Sequence, residues 1–307
     1  MTTRGRYLSE QLANSSKVAN LPLLGYALYW NIRSIEIPDS NLKALLKKHK
    51  LQESFMSEIS ARTALRKALK KAVKKRMIRL VFAGETETVY AVVHENIDKK
   101  AKDISYKKES LVVYNKKNEY IRFKGHEVPM LKKLFNHYST HYTGWTIRKG
   151  LLNLVDKNGG VTLRQSGGVY YLDSDHKALL ERLFQFVQDL SPDCYLHFFG
   201  IVDSKAAKKA LLVALREELK TEITKQRRDL THLAKRDRKM SDNVVAHKEE
   251  KFTSMRRKID KLCATTRTER SAFREHIGAI ESLRGEFRKV IGIRAGKSKK
   301  EVTKEPA

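Results

Sequence analysis

Residues 63–93 read TALRKALKKAVKKRMIRLVFAGETETVYAVV, and this stretch decides the expected fold. Its first half places apolar residues at three- and four-residue spacing, which predicts an amphipathic helix over residues 57–77. Its second half has two β-prone runs around a turn at Gly84, which predicts a hairpin. Because a shorter helix is expected just upstream, the order helix, helix, hairpin predicts a winged-helix-like module over residues 39–95.

A second stretch, residues 145–172, repeats this order as WTIRKGLLNLVDKNGGVTLRQSGGVYYL. A shift of 82 positions places LRKAL at 65–69 on IRKGL at 147–151. The pattern predicts a helix over residues 144–157, ended by a glycine cap in Asn158-Gly159-Gly160, and then another hairpin. A second winged-helix-like module is therefore expected over residues 125–202.

The rest of the chain is divided by composition. The fold class is predicted as α+β and mainly α, with two winged-helix-like modules followed by a long helical coiled-coil extension. The apolar patch at residues 21–30 is expected to be a core strand or helix. The remaining segments are an N-terminal packing segment at 1–38, a basic connector with a hairpin at 96–124, a helical coiled coil or helical hairpin at 203–291, and a basic unstructured tail at 292–307.

A seven-residue repeat of apolar positions marks the C-terminal helical region. It fits one rod, which at 1.5 Å per residue would reach roughly 120 Å, or two helices folded back on each other. The seam is predicted to pair subunits of a homo-oligomer or to dock a partner. The seam residues are Phe252, Met255, Ile259, Leu262, Phe273, Ile280, Leu283 and Phe287.

Charge indicates the kind of partner. The 307 residues hold 63 Lys+Arg against 35 Asp+Glu, a formal net charge of +28. Such a surplus favours a polyanion, and nucleic-acid phosphates would relieve the self-repulsion while releasing counterions. An anionic membrane is the other candidate, but the patch at 21–30 is about half the ~20 residues that a spanning helix requires. No membrane partner is therefore expected.

The cysteine count indicates the compartment. With only Cys194 and Cys263, a reducing, cytoplasmic setting is predicted.

The basic helices supply the predicted nucleic-acid contacts, with DNA preferred over RNA and little sequence specificity. A solvated helix face is the alternative explanation. For the aromatic residues Trp145, Tyr170 and Tyr171, packing in the core is favoured over stacking on bases. The predicted contact residues are Arg62, Arg66, Lys67, Lys70, Lys71, Lys74, Arg148, Lys149, Lys157 and Arg164.

No motif for catalysis, a metal or a cofactor emerges, so none is predicted. His137 and His141 have helical spacing but lack a third ligand and an intervening glutamate. The triplet at 296–298 resembles the end of a P-loop but lacks the earlier glycine. Asp173 and Asp175 are better explained as helix caps than as an acid pair. A nuclease would need a carboxylate cluster, and the sequence shows none. The rival to nucleic-acid binding is a structural assembly protein in which the helical rod is the functional part.

Three features together resemble a group of proteins encoded by phages and plasmids. They are the motif GYALYW at 25–30, the basic helix near residue 65, and the segment 162–172. The similarity covers about the first 200 residues. Because the group has no established activity, it implies a mobile-element origin and nothing about individual residues. The expected protein is a DNA-binding protein of a mobile genome.

Overall fold

The structure is a computed structural model. It describes residues 22–74, 76–97, 104–164, 167–235, 240 and 242–302. The strands are β1 Leu23–Asn31, β2 Glu36–Pro38, β3 Met77–Ala83, β4 Glu87–Ile97, β5 Ile104–Asn115, β6 Tyr120–Gly125, β7 His141–Thr143, β8 Val161–Thr162, β9 Tyr170–Asp173 and β10 Tyr195–Val202. The α-helices are α1 Asp39–Lys48, α2 Ala61–Ala72, α3 Leu131–Thr140, α4 Gly144–Lys157, α5 Lys177–Leu190, α6 Lys205–Ala234, α7 Asp242–Thr266 and α8 Arg274–Val302.

The chain forms two compact units whose limits differ from the predicted segments. Unit 2 consists of Ser34–Lys48 and Gln52–Lys149. Unit 1 combines the described residues up to Arg33, the residues His49–Leu51 and the described residues from Gly150 onward. The predicted boundaries near residues 95 and 125 therefore fall inside unit 2, the predicted N-terminal segment is divided after Arg33, and β1 and the C-terminal helices belong to one unit.

Unit 2 is built on an antiparallel sheet with the strand order β3-β4-β5-β6. Strands β4 and β5 pair over their whole length, from Glu87 opposite Asn115 to Ile97 opposite Ile104. Helices α2 and α3 share a core with this sheet, in which Leu65, Tyr90 and Phe135 are buried. The first winged-helix prediction is wrong, because the hairpin β3-β4 is half of a four-stranded meander. The predicted connector supplies the other half, since long strands satisfy their backbone groups by pairing.

Unit 1 is built on a second antiparallel sheet, with the strand order β10-β1-β9-β8. Along the chain its elements follow as β1, α4, β8, β9, α5 and β10. This order and these directions define a βαββαβ fold, also called split βαβ, with unit 2 inserted after β1. The second winged-helix prediction is therefore also wrong. Its β8 has two residues, and β9 pairs with β1 at Leu28 opposite Tyr170 rather than closing an isolated wing.

The two faces of the unit 1 sheet are covered by different helices. On one face, Phe198 contacts Phe184 of α5 and Tyr26 of β1 at ring distances of 6.5 and 5.7 Å. On the other face, Val161 and Tyr171 are buried in a core that they share with α6, α7 and α8. Residues 23–30 of the predicted apolar patch thus belong to a central strand between two layers, because their side chains alternate between both faces, and Leu21 lies outside the described residues.

Helix α4 ends where the glycine pattern predicts. Gly159 has φ +76°, which favours glycine, and its N–H bonds to the Asp156 carbonyl while the Gly160 N–H bonds to the Val155 carbonyl. These two hydrogen bonds, at 3.0 and 2.8 Å, form a Schellman motif. The predicted helix 144–157 and its cap are confirmed.

The single straight rod is wrong, because the described part of the C-terminal region forms three helices, α6, α7 and α8, that pack against one another within unit 1. This is one helix more than the predicted helical hairpin. Phe252 of α7 and Phe287 of α8 have ring centroids 6.0 Å apart, and Arg216 of α6 lies over the Phe273 ring at 5.4 Å. The predicted unstructured tail is also corrected, since α8 continues to Val302. Residues 303–307 lie outside the described part of the chain.

Candidate nucleic-acid interface

Helix α2 is held in unit 2 by a cap at its N-terminus and by its buried apolar side. Ser60 caps the helix, because its side chain accepts a hydrogen bond from the Thr63 N–H at 3.2 Å. Ala64, Leu65, Ala68 and Leu69 are buried in the core with the sheet. The opposite side of α2 therefore faces solvent.

The solvent side of α2 carries five of the six cations predicted for the first basic helix, and the sixth, Lys74, is exposed two residues after the helix ends. At about 100° per residue, the positions of the five on the helix fall within an arc of about 180°, and the exposed pair Arg62 and Lys71 are separated by about 14 Å along the axis. The helix contains no acidic residue. Within the described part of the chain, no carboxylate forms an ion pair with any of the six. They are Arg62, Arg66, Lys67, Lys70, Lys71 and Lys74.

Carboxylates of the neighbouring sheet are engaged by other cations. Glu109 accepts a hydrogen bond from the Arg76 guanidinium at 2.8 Å, and this contact holds the pKa of Glu109 below its usual value. Glu87 pairs with Arg122 at 2.9 Å. Because both acids already have partners, they do not neutralise the basic face of α2.

Three exposed aromatic rings of unit 2 each have a cation over them. Arg79 lies over Tyr106 at 5.6 Å, and Lys132 lies over Tyr120 at 5.7 Å. Lys149 lies over Trp145, also at 5.7 Å. Sequence reasoning missed Tyr106 and Tyr120, because strand alternation does not show which face is covered. It also placed Trp145 in the core, yet this side chain is 58% exposed. The core prediction for Tyr170 and Tyr171 is confirmed.

The four cations predicted from the second repeat are not one cluster on one unit. Arg148 and Lys149 are exposed in unit 2, whereas Lys157 and Arg164 are exposed in unit 1. The Lys157 carbonyl accepts a hydrogen bond from Arg257 of α7 at 3.2 Å, which holds the end of α4 against the C-terminal helices. The repeat therefore does not create a second basic helix face like that of α2.

The predicted oligomerisation seam is the core of unit 1. Its eight side chains are all buried within a single chain, so no contact with a second chain is needed to cover them. An apolar seven-residue repeat requires burial but does not specify which helix covers it. The residues corrected in this way are Phe252, Met255, Ile259, Leu262, Phe273, Ile280, Leu283 and Phe287.

The groups considered for metal or nucleotide binding have structural roles. The Glu36 carboxylate accepts a hydrogen bond from His137 Nε2 at 2.8 Å, and the His137 ring stacks on His141 at 4.1 Å. No group of three or more potential metal ligands occurs in the part of the chain that the structure covers. Asp173 caps the turn that follows it by accepting the Asp175 N–H at 3.2 Å. The triplet at 296–298 lies inside α8, not between a strand and a helix.

A comparison with known families identifies the family of the chain but no activity. The chain belongs to a family of unknown function, DUF6744, whose model matches residues 23–290. No curated protein and no solved structure matches the chain. Within the residues that the structure describes, no helix combines the length and apolar character needed to cross a bilayer.

Proposed function

We propose that this protein binds nucleic acid through the basic face of α2, with double-stranded DNA as the preferred form and little sequence specificity. The observation that carries the proposal is the set of five cations on the solvent side of α2, followed closely by Lys74. The helix contains no acidic residue, and no carboxylate among the described residues pairs with these cations. Such a surface contacts phosphates and carries no base-specific information.

The remaining chemistry of the chain supports a binding role. The net charge of +28 means that cations outnumber the carboxylates that could pair with them, and the aromatic rings under Arg79, Lys132 and Lys149 add exposed π surfaces to the same unit as α2. Origin in a mobile genetic element, and a role there in replication, partition or transcription, belong to the same proposal on the basis of the resemblance.

A salt titration tests the proposal. A short fluorescent DNA duplex is titrated with the full chain between about 50 and 200 mM salt, and fluorescence anisotropy gives the affinity. With five or six phosphate contacts, log K should fall with log salt at a slope of about −5, a loss of roughly a thousandfold over this range. Absence of binding, or affinity that does not change with salt, would contradict the proposal.

A matched pair of charge variants locates the surface. The quadruple variant Arg66→Gln, Lys67→Gln, Lys70→Gln and Lys71→Gln should reduce the steepness of the slope by about 3 to 4, because it removes four cations from α2. The control replaces Lys220, Lys225, Arg227 and Arg228 of α6 by Gln, which removes the same charge from exposed positions of unit 1. If both variants lose affinity equally, net charge rather than α2 accounts for binding.

A further inference from the structure

The sheet of unit 1 has one face that the C-terminal helices cover only in part. Val161 and Tyr171 on β8 and β9 are buried under α6–α8, and Ile201 on β10 packs against the same core. Farther along β10, the residues on this face alternate as Phe199, His197 and Tyr195. Tyr29 of β1 lies opposite His197 in the register, so it belongs to the same face.

The rings of Tyr29, His197 and Tyr195 contact one another, and with Phe199 two residues farther along β10 they form an aromatic surface on one face of the sheet. The Tyr29 and His197 rings are 5.4 Å apart, the Tyr195 and His197 rings 5.2 Å, and the Tyr29 and Tyr195 rings 6.4 Å. Tyr29 is 37% exposed, Tyr195 36% and Phe199 56%. Aromatic side chains gain most by burial, so a group of exposed rings on one sheet face indicates a partner with flat apolar surfaces.

Exposed cations lie near both ends of the aromatic surface. Arg33 is exposed two residues after the end of β1, on the side of Tyr195. Helix α6 starts directly after β10, and its first turn contains no acidic residue. Lys205 and Lys209 are exposed there, while the nearby Asp203 is paired with Lys208 at 2.7 Å. A partner on this face therefore meets two cations beyond Phe199, and at the other end Arg33 together with the exposed carboxylate of Asp193, two residues before Tyr195.

We infer that the Tyr29–Tyr195–Phe199 face of unit 1 binds single-stranded nucleic acid, whose bases stack on the rings while its phosphates contact Arg33 and the start of α6. Four-stranded sheets that display aromatic residues use this mode for unpaired bases. Stacking tolerates any base because every base has a π face. The inference goes beyond the proposed function and does not rest on α2, since the two sites lie in different units and recognise different forms of nucleic acid.

The test measures single-strand and duplex affinities in parallel. A fluorescent oligothymidylate, an oligouridylate and a DNA duplex are each titrated with the full chain. The triple variant Tyr29→Ala, Tyr195→Ala and Phe199→Ala should bind both single strands at least about tenfold more weakly and bind the duplex unchanged. The variants Tyr29→Phe and Tyr195→Phe should retain wild-type affinity, because stacking needs the ring and not the hydroxyl.

Phe82→Ala is the matched control, since Phe82 is an exposed aromatic residue on an edge strand of unit 2. It should leave single-strand affinity unchanged, and circular dichroism should show native structure for every variant. The inference is overturned if the wild type does not bind single strands or if the triple variant binds them as well as the wild type. It is also overturned if the triple variant instead lowers the mass in solution, which would make the face a contact between copies.

The same experiments distinguish failure of the α2 proposal from failure of the sheet-face inference. Loss of duplex binding in the α2 quadruple variant, with single-strand binding retained, supports both sites. If the α2 variant abolishes single-strand binding while the triple variant leaves it intact, the sheet face is not the site. If duplex binding is absent in the wild type but the triple variant still loses single-strand affinity, only the α2 proposal fails.

Discussion

The ammonium group of Lys258 on α7 lies 2.6 Å from the carboxylate of Glu218 on α6. The same nitrogen lies 2.7 Å from Asp156 near the end of α4, although the Lys258 residue is only 7% exposed. Glu218 also accepts a hydrogen bond from the backbone N–H of Thr162 at 2.7 Å. One buried lysine thus connects α7 to α6 and α4 by direct contacts, and to β8 through Glu218. Its charge is stabilised by two carboxylates instead of by water.

Replacing Asp156 by Asn should destabilise the chain by about 1–3 kcal/mol at pH 7, because Lys258 then retains only Glu218 as a partner. Burial opposes ionisation of Asp156, but Lys258 and Lys251 outweigh it and hold the pKa of Asp156 below 3.8. The carboxylate therefore contributes its full stabilisation above pH 3.8, and the contribution is lost as pH falls through the folded-state pKa.

Urea unfolding at pH 7 and pH 3 checks this prediction. The difference in unfolding free energy between wild type and Asp156→Asn should be smaller at pH 3 than at pH 7. Asp193→Asn is the control, since Asp193 is exposed and forms no ion pair among the described residues. A difference that does not change with pH would show that the Asp156 charge is not what the variant removes.

Local features of the fold could be predicted from the sequence, whereas its long-range pairing could not. The bounds of α4 and the cap at Gly159 follow from spacing and from a glycine that tolerates positive φ. In contrast, β1 pairs with β10 at Tyr29 opposite His197, more than half the chain away. Alternation along a strand predicts burial but gives no information about which strand lies beside it.

The same limit explains the outcome for the functional surfaces. The charge on α2 is visible in the sequence because basic and apolar residues occupy opposite arcs of one helix. The aromatic face of Tyr29 and Tyr195 depends on the pairing of β1 with β10, which only the structure shows. Likewise, the repeat through Ile259 predicted a buried seam correctly but its partner incorrectly, since α6 and α8 of the same chain cover it.

Ile259→Ala should lower the free energy of unfolding by about 2–5 kcal/mol, because Ile259 is fully buried and the smaller side chain leaves a cavity. Ile259→Val should cost about 0.5–1.5 kcal/mol. The measurement is denaturant unfolding together with mass in solution, and the exposed Val244 serves as the control in Val244→Ala. If the folded Ile259→Val variant had a lower mass in solution than the wild type, the seam would take part in self-association.

Thr88→Val should stabilise unit 2 by about 1 kcal/mol. The Thr88 side chain is fully buried in β4, and its hydroxyl has no hydrogen-bond partner within the described part of the chain. Valine has a similar shape, favours strands and removes the unpaired polar atom. Thermal unfolding measures the effect, with the exposed Thr86→Val as the matched control expected to change little. Destabilisation of Thr88→Val would mean that the hydroxyl has a partner in solution.

Arg267→Gly should stabilise unit 1 by about 0.5–1 kcal/mol. Arg267 follows the end of α7 with φ 56°, a left-handed conformation that disfavours side chains with a Cβ atom. The hydrogen bonds of Thr268 N–H to Cys263 and of Arg267 N–H to Ala264, at 2.9 and 3.3 Å, fix this conformation as a Schellman cap. Arg267→Ala keeps the Cβ atom and should therefore give no stabilisation. Urea unfolding of both variants separates backbone strain from loss of the arginine charge, since equal stabilisation by glycine and alanine would assign the effect to charge.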